Sequence, residues 1–309
     1  MATHRWQPDR YHTTIGSHEP VLHVASGDTI VTTTVDAGGH DHTGELVTAR
    51  GNPQTGPFFV EGAEPGDVLA VTLNRLTPNR PSGFTGTVVA EQVVDPPLVR
   101  DLPPAAHLSW AIDVERGTAR PQRAEGCIDP PEALDGLELP LEPMLGCFGV
   151  APARGQAIST ATSGPHGGNM DYRGFTEGVT AYFPVAVQGA LLHLGDGHAT
   201  QGDGEIVGTG IETSFDVEVT CRVLKRGSIG WPRGENGEFI FTLGNARPLD
   251  QAVQHATAEM LRWLGEDYGL DLRAASTLMG QAVRYDLGNV FDPAYTMVCK
   301  MPRRLLVAR

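Results

Sequence analysis

Lysine is almost missing: Lys225 and Lys300 are the only two in 309 residues. An amidase built on a Ser-Ser-Lys relay or a Glu-Lys-Cys site therefore has almost no lysine to draw on, and neither lysine lies in a Gly-rich turn beside a candidate nucleophile. The chain also lacks a GxSxG elbow, an HExxH helix, a Walker A loop and a GxGxxG turn, so the serine-elbow, helical-zincin and phosphate-cradling chemistries have no local support. No run of about 18 apolar residues could span a bilayer, and residues 1–20 are polar with no apolar core of a signal peptide. Basic residues are outnumbered, 23 to 37, leaving a formal charge of -14 that repels a phosphate backbone. Cysteine is sparse, and Cys127, Cys147, Cys221 and Cys299 show no CxxC spacing, which favours reduced thiols. The expectation is a cytoplasmic protein with no nucleic-acid or membrane partner. Cys147, in the apolar run Leu-Gly-Cys-Phe-Gly-Val, reads as a core thiol rather than a nucleophile.

What is abundant is glycine and proline, 38 and 23 residues, about a fifth of the chain against a usual 12% or so. That favours turns over long helices, and a mainly β fold is expected. Strand signals fall at residues 29–35, 68–73, 87–94, 178–190 and 215–224. In the last, Phe215, Val217, Val219, Cys221 and Val223 share one pleat face while Asp216, Glu218, Thr220 and Arg222 take the other. Residues 96–143 turn rich in Pro, Arg and acidic side chains and read as an irregular insertion in a β-rich catalytic core spanning 1–225. In the C-terminal part, 226–309, the period changes to 3.6: Val253, Ala256, Met260, Leu261 and Leu264, then Leu272, Ala275, Leu278, Met279, Ala282 and Val283, predict two amphipathic helices. Asp250 and Asp271 are expected as their N-caps, with Gly265 and Gly269 in the connection.

Three glycine-rich stretches concentrate carboxylates and imidazoles. In the first, Asp36 ends a β-branched run and Gly38 and Gly39 let His40 or His42 turn back toward it. In the second, Asn169 and Asp171 are two residues apart and project to one side if extended, next to His166, Gly167 and Gly168. An Asx turn accounts for that spacing as well as a ligand pair does. The third, residues 190–205, is the densest: a buried strand runs into Asp196, His198, Asp203 and Glu205. If the strand continues, Asp196 and His198 offer an oxygen and an imidazole at one point, the beginning of a zinc-like site that Asp36 or Asp171 would complete. The spacing does not fit an EF-hand, since Gln201 and Val207 stand where Gly and Glu belong. Glu212 is a candidate general base.

These residues resemble the acetamidase/formamidase family. The matching pieces are Gly27-Asp28 followed by Asp36, the run 52–71, Gly146-Cys-Phe-Gly-Val-Ala-Pro, His166-Gly-Gly-Asn-Met-Asp171, Phe183-Pro-Val and Leu194-Gly-Asp-Gly-His-Ala-Thr-Gln-Gly-Asp-Gly-Glu205. The resemblance covers about residues 20–225, and the length is similar to that of the shorter, acetamidase-like branch. It implies a β-sandwich core of jelly-roll type with a smaller α/β part, hydrolysis of short aliphatic amides, a divalent metal and a homodimer or larger assembly. On that footing Asp36, Asp171, Asp196 and His198 would hold the metal, zinc first and calcium as the alternative. Glu205 or Glu212 would move the proton, and Asn169 with the backbone of Gly167 and Gly168, beside His166, would hold the substrate. The competing readings are a non-catalytic metal- or small-molecule-binding β-sandwich, and a hydrolase of carbamates, urea-like compounds or cyclic amides.

Overall fold

The computed structural model describes residues 1–225 and 227–306. Among them, most strands fall into two large sheets. The nine-stranded sheet runs Thr3–Arg5, Thr29–Thr33, Phe215–Leu224, Val68–Pro78, Thr180–Pro184, Arg233–Glu235, Phe239–Ala246, Tyr295–Pro302 and Arg284–Asn289. The eleven-stranded sheet is centred on Leu192–His198, Met144–Val150 and Gly167–Asn169, with Glu212–Thr213 and Ser82–Gly86 continuing it on one side.

The two sheets face one another across a shared apolar core. Leu69, Val71, Leu73, Val217 and Val219 come from the first, and Phe58, Phe148, Leu192 and Leu194 from the second. Phe148 and Phe183 meet edge to face across the gap, with ring centroids 5.3 Å apart. The strand Phe215–Leu224 alternates as its sequence requires: Phe215, Val217, Val219 and Cys221 are buried, and Asp216, Glu218 and Thr220 are half-exposed.

The C-terminal part is joined edge to edge to the rest, because Arg233–Glu235 pairs with Thr180–Pro184. On the hairpin formed by Phe239–Ala246 and Tyr295–Pro302, Phe241, Leu243 and Val298 enter the main core, while Ile240, Cys299 and Met301 meet helices α1 (Leu249–Tyr268) and α2 (Leu272–Ala282). Gly244 has no side chain because α1 lies against it; a Cβ there would strike the Ala252 carbonyl. Asp271 caps α2 as expected, accepting the Ala274 N–H at 2.8 Å. Asp250 instead lies inside the first turn of α1, whose N-cap is Pro248, and Gly265 lies within α1 while Gly269 closes it with a φ of 66°.

Two further expectations change. The segment 96–143 is not wholly irregular: His107–Asp113 and Thr118–Gln122 extend the eleven-stranded sheet, burying Leu108, Trp110, Ile112 and Ala119. Residues 87–94 form no strand; pairing occurs just before, at Ser82–Gly86, where Gly83 and Gly86 allow the 207–212 backbone to approach too closely for any Cβ.

Candidate active site

At one end of the eleven-stranded sheet, three adjoining strands bring buried charge together. The strand Leu192–His198 carries Asp196 and His198, and its antiparallel register sets His198 opposite Glu212. On its other side, Leu145 pairs with Gly197 and Cys147 with Gly195, so Gly146 lies across from Asp196. Gly146 is the floor of the site: a Cβ there would collide with Asp171 Oδ1 and fall 2.8 Å from Asp196 Oδ2 and 3.2 Å from His198 Cε1. Asp171, just past the strand Gly167–Asn169, and Glu205 close the group. Asp171, His198 and Glu205 offer ligand atoms within 4.8 Å of one another, and so do Asp196, His198 and Glu212.

The backbone supports this grouping at a cost. Only seven described non-glycine residues have positive φ, and four are Asn52, Asp171, Asp196 and Glu205. Such left-handed conformations persist where surrounding structure over-determines them, and they concentrate at functional sites.

The oxygens are held by carboxamides rather than by cations. Asn289 accepts two backbone N–H groups on Oδ1, from Phe291 and Asp292, so its NH2 faces the acids, 2.9 Å from Asp171 Oδ2 and 2.6 Å from Glu205 Oε2. Asn52 donates to Asp196 Oδ2 at 2.9 Å and to Asn169 Oδ1 at 2.7 Å, and Asn169 donates to Asp292 Oδ2 at 2.6 Å. His198 Nδ1 lies 2.7 Å from Gln201 Oε1. Its Nε2 lies 2.8 Å from Glu212 Oε1 and 3.4 Å from Asp196 Oδ1, yet neither oxygen is aligned for a hydrogen bond and Nε2 has no such partner. Asp171 Oδ1 and Glu212 Oε2 are unpartnered too.

Crowded, buried acids resist ionisation. Burial, with Glu205, Asp196 and Asp292 close by, raises Asp171 well above the usual carboxylate range. Burial lifts Glu205 likewise, against the pull of His198. Glu212 is pushed up to about 7 by burial and Asp292 to about 6. For His198 burial opposes the charge, but Glu212 and Asp196 outweigh it and hold the imidazole well above its ordinary value. Burial and the neighbouring Asp196 and Asp171 raise the Cys147 thiol, so it stays protonated and inert, as a core thiol should.

The acetamidase/formamidase family model matches residues 2–157 and 153–249. The chain belongs to the acetamidase/formamidase family. It is 30% identical to an acetamidase of Mycolicibacterium smegmatis over 63% of this chain and 58% of that one, and 29% identical to a formamidase of Methylophilus methylotrophus over 56% and 52%. The match thus spans little more than half the length of these curated relatives. Over nearly the whole fold it superposes on a predicted acetamidase/formamidase of the thermophile Thermoanaerobacter tengcongensis, with a TM-score of 0.82, 30% identity and coverage of 99% and 97%.

In this member of the family, Asp171, Asp196, His198, Glu205, Glu212 and Asn169 converge. Asp36 does not join them. It is buried nearby, but Arg80 Nη2 takes one oxygen at 2.6 Å, and the other accepts the His40 N–H at 2.9 Å. His40 stays with Asp36, and His42 is exposed beside Asp41. Gly167 and Gly168, both with a φ of 90°, are explained by packing: a Cβ would strike the Phe148 carbonyl at one and the Thr162 carbonyl at the other. His166 is buried with neither ring nitrogen partnered, and burial lowers it to about 4.

Asn52, Gln201, Asn289 and Asp292 were not singled out from sequence. Asn52 and Asn289 carry the Gly/Asn/Pro signature of ordinary turns, and only tertiary closure aims them at the acids. A cavity of about 1010 Å³ is lined in part by Gln201, Gly210 and Ile211, but none of the clustered acids nor His198 lines it.

Proposed function

We propose that this protein hydrolyses short aliphatic amides of the acetamide and formamide type to carboxylate and ammonia, with a divalent cation held in the acidic cradle over Gly146. The observation that carries the reading is the orphaned His198 Nε2, aimed among acids that no described Lys or Arg side chain neutralises. A cation fits this donor set. The carboxamides of Asn52, Asn169 and Asn289 satisfy acid oxygens without bringing positive charge, so the crowding that makes these acids resist ionisation is what a cation would relieve. Asp171, Asp196 and His198 would hold the ion with Glu205 at its edge, and imidazole plus carboxylate suits zinc, with calcium the less fitting alternative. When bound, such an ion lowers the pKa of a water molecule and polarises a carbonyl.

The chain's own groups account for the rest. Glu212 has one oxygen unpartnered and a carboxyl near 7, which suits taking a proton from water and delivering it to the departing nitrogen near neutral pH. Glu205 is less free, since Asn289 ties it. Asn169, buried beside the half-exposed Asn52 and Asp292, would orient an amide. The names of the similar acetamidase and formamidase support the substrate class. Free thiols at Cys127, Cys147, Cys221 and Cys299 support a reducing compartment, and a homodimer or larger assembly remains part of this proposal.

The test is ammonia release from formamide, acetamide, propionamide and a carbamate, with the metal content measured before and after chelation. Release that falls on chelation and returns with zinc is the expected outcome. Silence on every substrate in metal-replete protein would overturn the hydrolase reading.

A further inference from the structure

We infer that Gln201 is a positioning residue, which fixes His198 in the tautomer and orientation that present the bare Nε2 to a cation. This deepens the reading above and rests on its cation.

The side chain of Gln201 is buried and both its ends are committed. Its Nε2 lies 2.7 Å from the Asp171 backbone carbonyl, which can only accept, so that end must be the donor. Its Oε1 therefore faces His198 Nδ1, 2.7 Å away, and the imidazole must donate from Nδ1. In a neutral ring the lone pair then sits on Nε2, toward Glu212 and Asp196.

Without Gln201 nothing would hold that tautomer. No other described group accepts a hydrogen bond from Nδ1, and Glu212 Oε1, though 2.8 Å from Nε2, is not aligned to accept a proton there. A lone pair facing two acids is unfavourable unless a positive ion lies between them, so the Gln201 amide holds the ring in the form that a cation would use. Because the same amide ends on the Asp171 carbonyl, the positions of two proposed ligands are tied to one side chain. Gly210 completes the seat: a Cβ there would lie 2.6 Å from His198 Cγ, so its absence lets the ring sit flush against the chain.

The experiment compares full-length wild type, Gln201→Met and Gln201→Glu. Zinc affinity is read by competition with a chromophoric chelator, and the His198 tautomer by nitrogen-15 NMR of histidine-labelled zinc-loaded protein. Methionine keeps the bulk but neither polar end. It should weaken zinc binding about 10- to 100-fold, the usual range for losing an outer-shell partner, and remove the Nδ1–H signature while leaving the circular dichroism spectrum unchanged. Glutamate still accepts from Nδ1 and should restore the signature, but it sets an oxygen against the Asp171 carbonyl that the amide N–H had met, so affinity should recover only in part. Zinc affinity in Gln201→Met within twofold of wild type, an unprotonated Nδ1 in wild type, or a wild type that binds no zinc would each overturn the assignment. None of these readouts uses amide turnover, so failure on every amide with zinc binding and tautomer intact would remove the hydrolase reading alone.

Discussion

Replacing Gly146 by alanine adds one methyl group at the point where the site's geometry is least forgiving. The residue lies in the strand Met144–Val150 without a left-handed φ, so alanine suits the backbone and the perturbation is steric alone. The new Cβ would overlap Asp171 Oδ1 and sit 2.8 Å from Asp196 Oδ2, and contacts under 3.0 Å force something to move. Neither acid can swing aside freely: Asn289 holds Asp171 and Asn52 holds Asp196, and each such hydrogen bond contributes on the order of 1 kcal/mol. Overpacking of this kind costs about 1–3 kcal/mol, a few degrees of Tm in a chain of this size. The effect on function should be larger. A shift of about 1 Å in the groups that hold a reacting centre can cost about 100-fold in rate. The assay pairs ammonia release from acetamide in zinc-replete protein with thermal unfolding and zinc competition. Gly146→Ala should fold, lose a few degrees, bind zinc more weakly and turn over about 100-fold more slowly. Near-normal turnover at full stability would show that the space over Gly146 is not where the chemistry occurs.

Asp196→Asn should abolish turnover, by at least about 100-fold, while Tm holds or rises, because Asn tolerates the φ of 61° and the change removes one of the crowded acids; parallel rate and melting measurements decide it. The neutral imidazole of His193 is buried, its pKa lowered by that burial to about 3 against an unfolded value near 6.5, so its contribution is whole above about pH 6.5 and is lost as pH falls toward 3. Between pH 7 and pH 5 the wild type should therefore lose about 2 kcal/mol relative to His193→Gln in urea titrations, and an unchanged difference would refute the burial argument. Glu212 near 7 and Asp292 near 6 carry folded values raised above the unfolded ones, so their favourable contribution is present at low pH and is lost as pH rises through 6 to 7. Chelated protein should accordingly melt lower at pH 8 than at pH 6, and zinc should flatten that slope. Gly280→Ala, in an exposed turn of α2 with nothing within 4 Å of its Cβ position, should stabilise the protein by up to about 1 kcal/mol without touching turnover.

The parts of the fold that depend on local pattern were readable from the chain. The alternation in Phe215–Leu224 and the 3.6-residue spacing in α2 each name a buried face using residues a few positions apart, and a sheet or helix that ignored them would expose those apolar side chains. Asp196 and His198 were readable for the same reason: the strand does run on through them, and glycines 195 and 197 exist because Gln54 and Phe215 pack where side chains would be. Long-range partners were not. Asp36 has the same sequence look as Asp171, an acid beside flexible backbone, but Arg80, 44 positions on, claims it, and only the folded sheet decides which acid gains a cation of its own and which stays unneutralised. Asn289 and Asp292, at the end of a strand in the C-terminal part, reach Asp171 and Asn169 across more than 100 residues. A carboxamide has no charge pattern and no favoured spacing to betray such a role, and in Gly-Asn or Asn-Pro dipeptides it looks like any turn. Neutral amides are nonetheless what the proposed cation site requires, since a lysine or arginine at Asn52 or Asn289 would neutralise the acids and occupy the place of the proposed ion. The groups hardest to find in the sequence are therefore those that would keep the readable acids free to bind it.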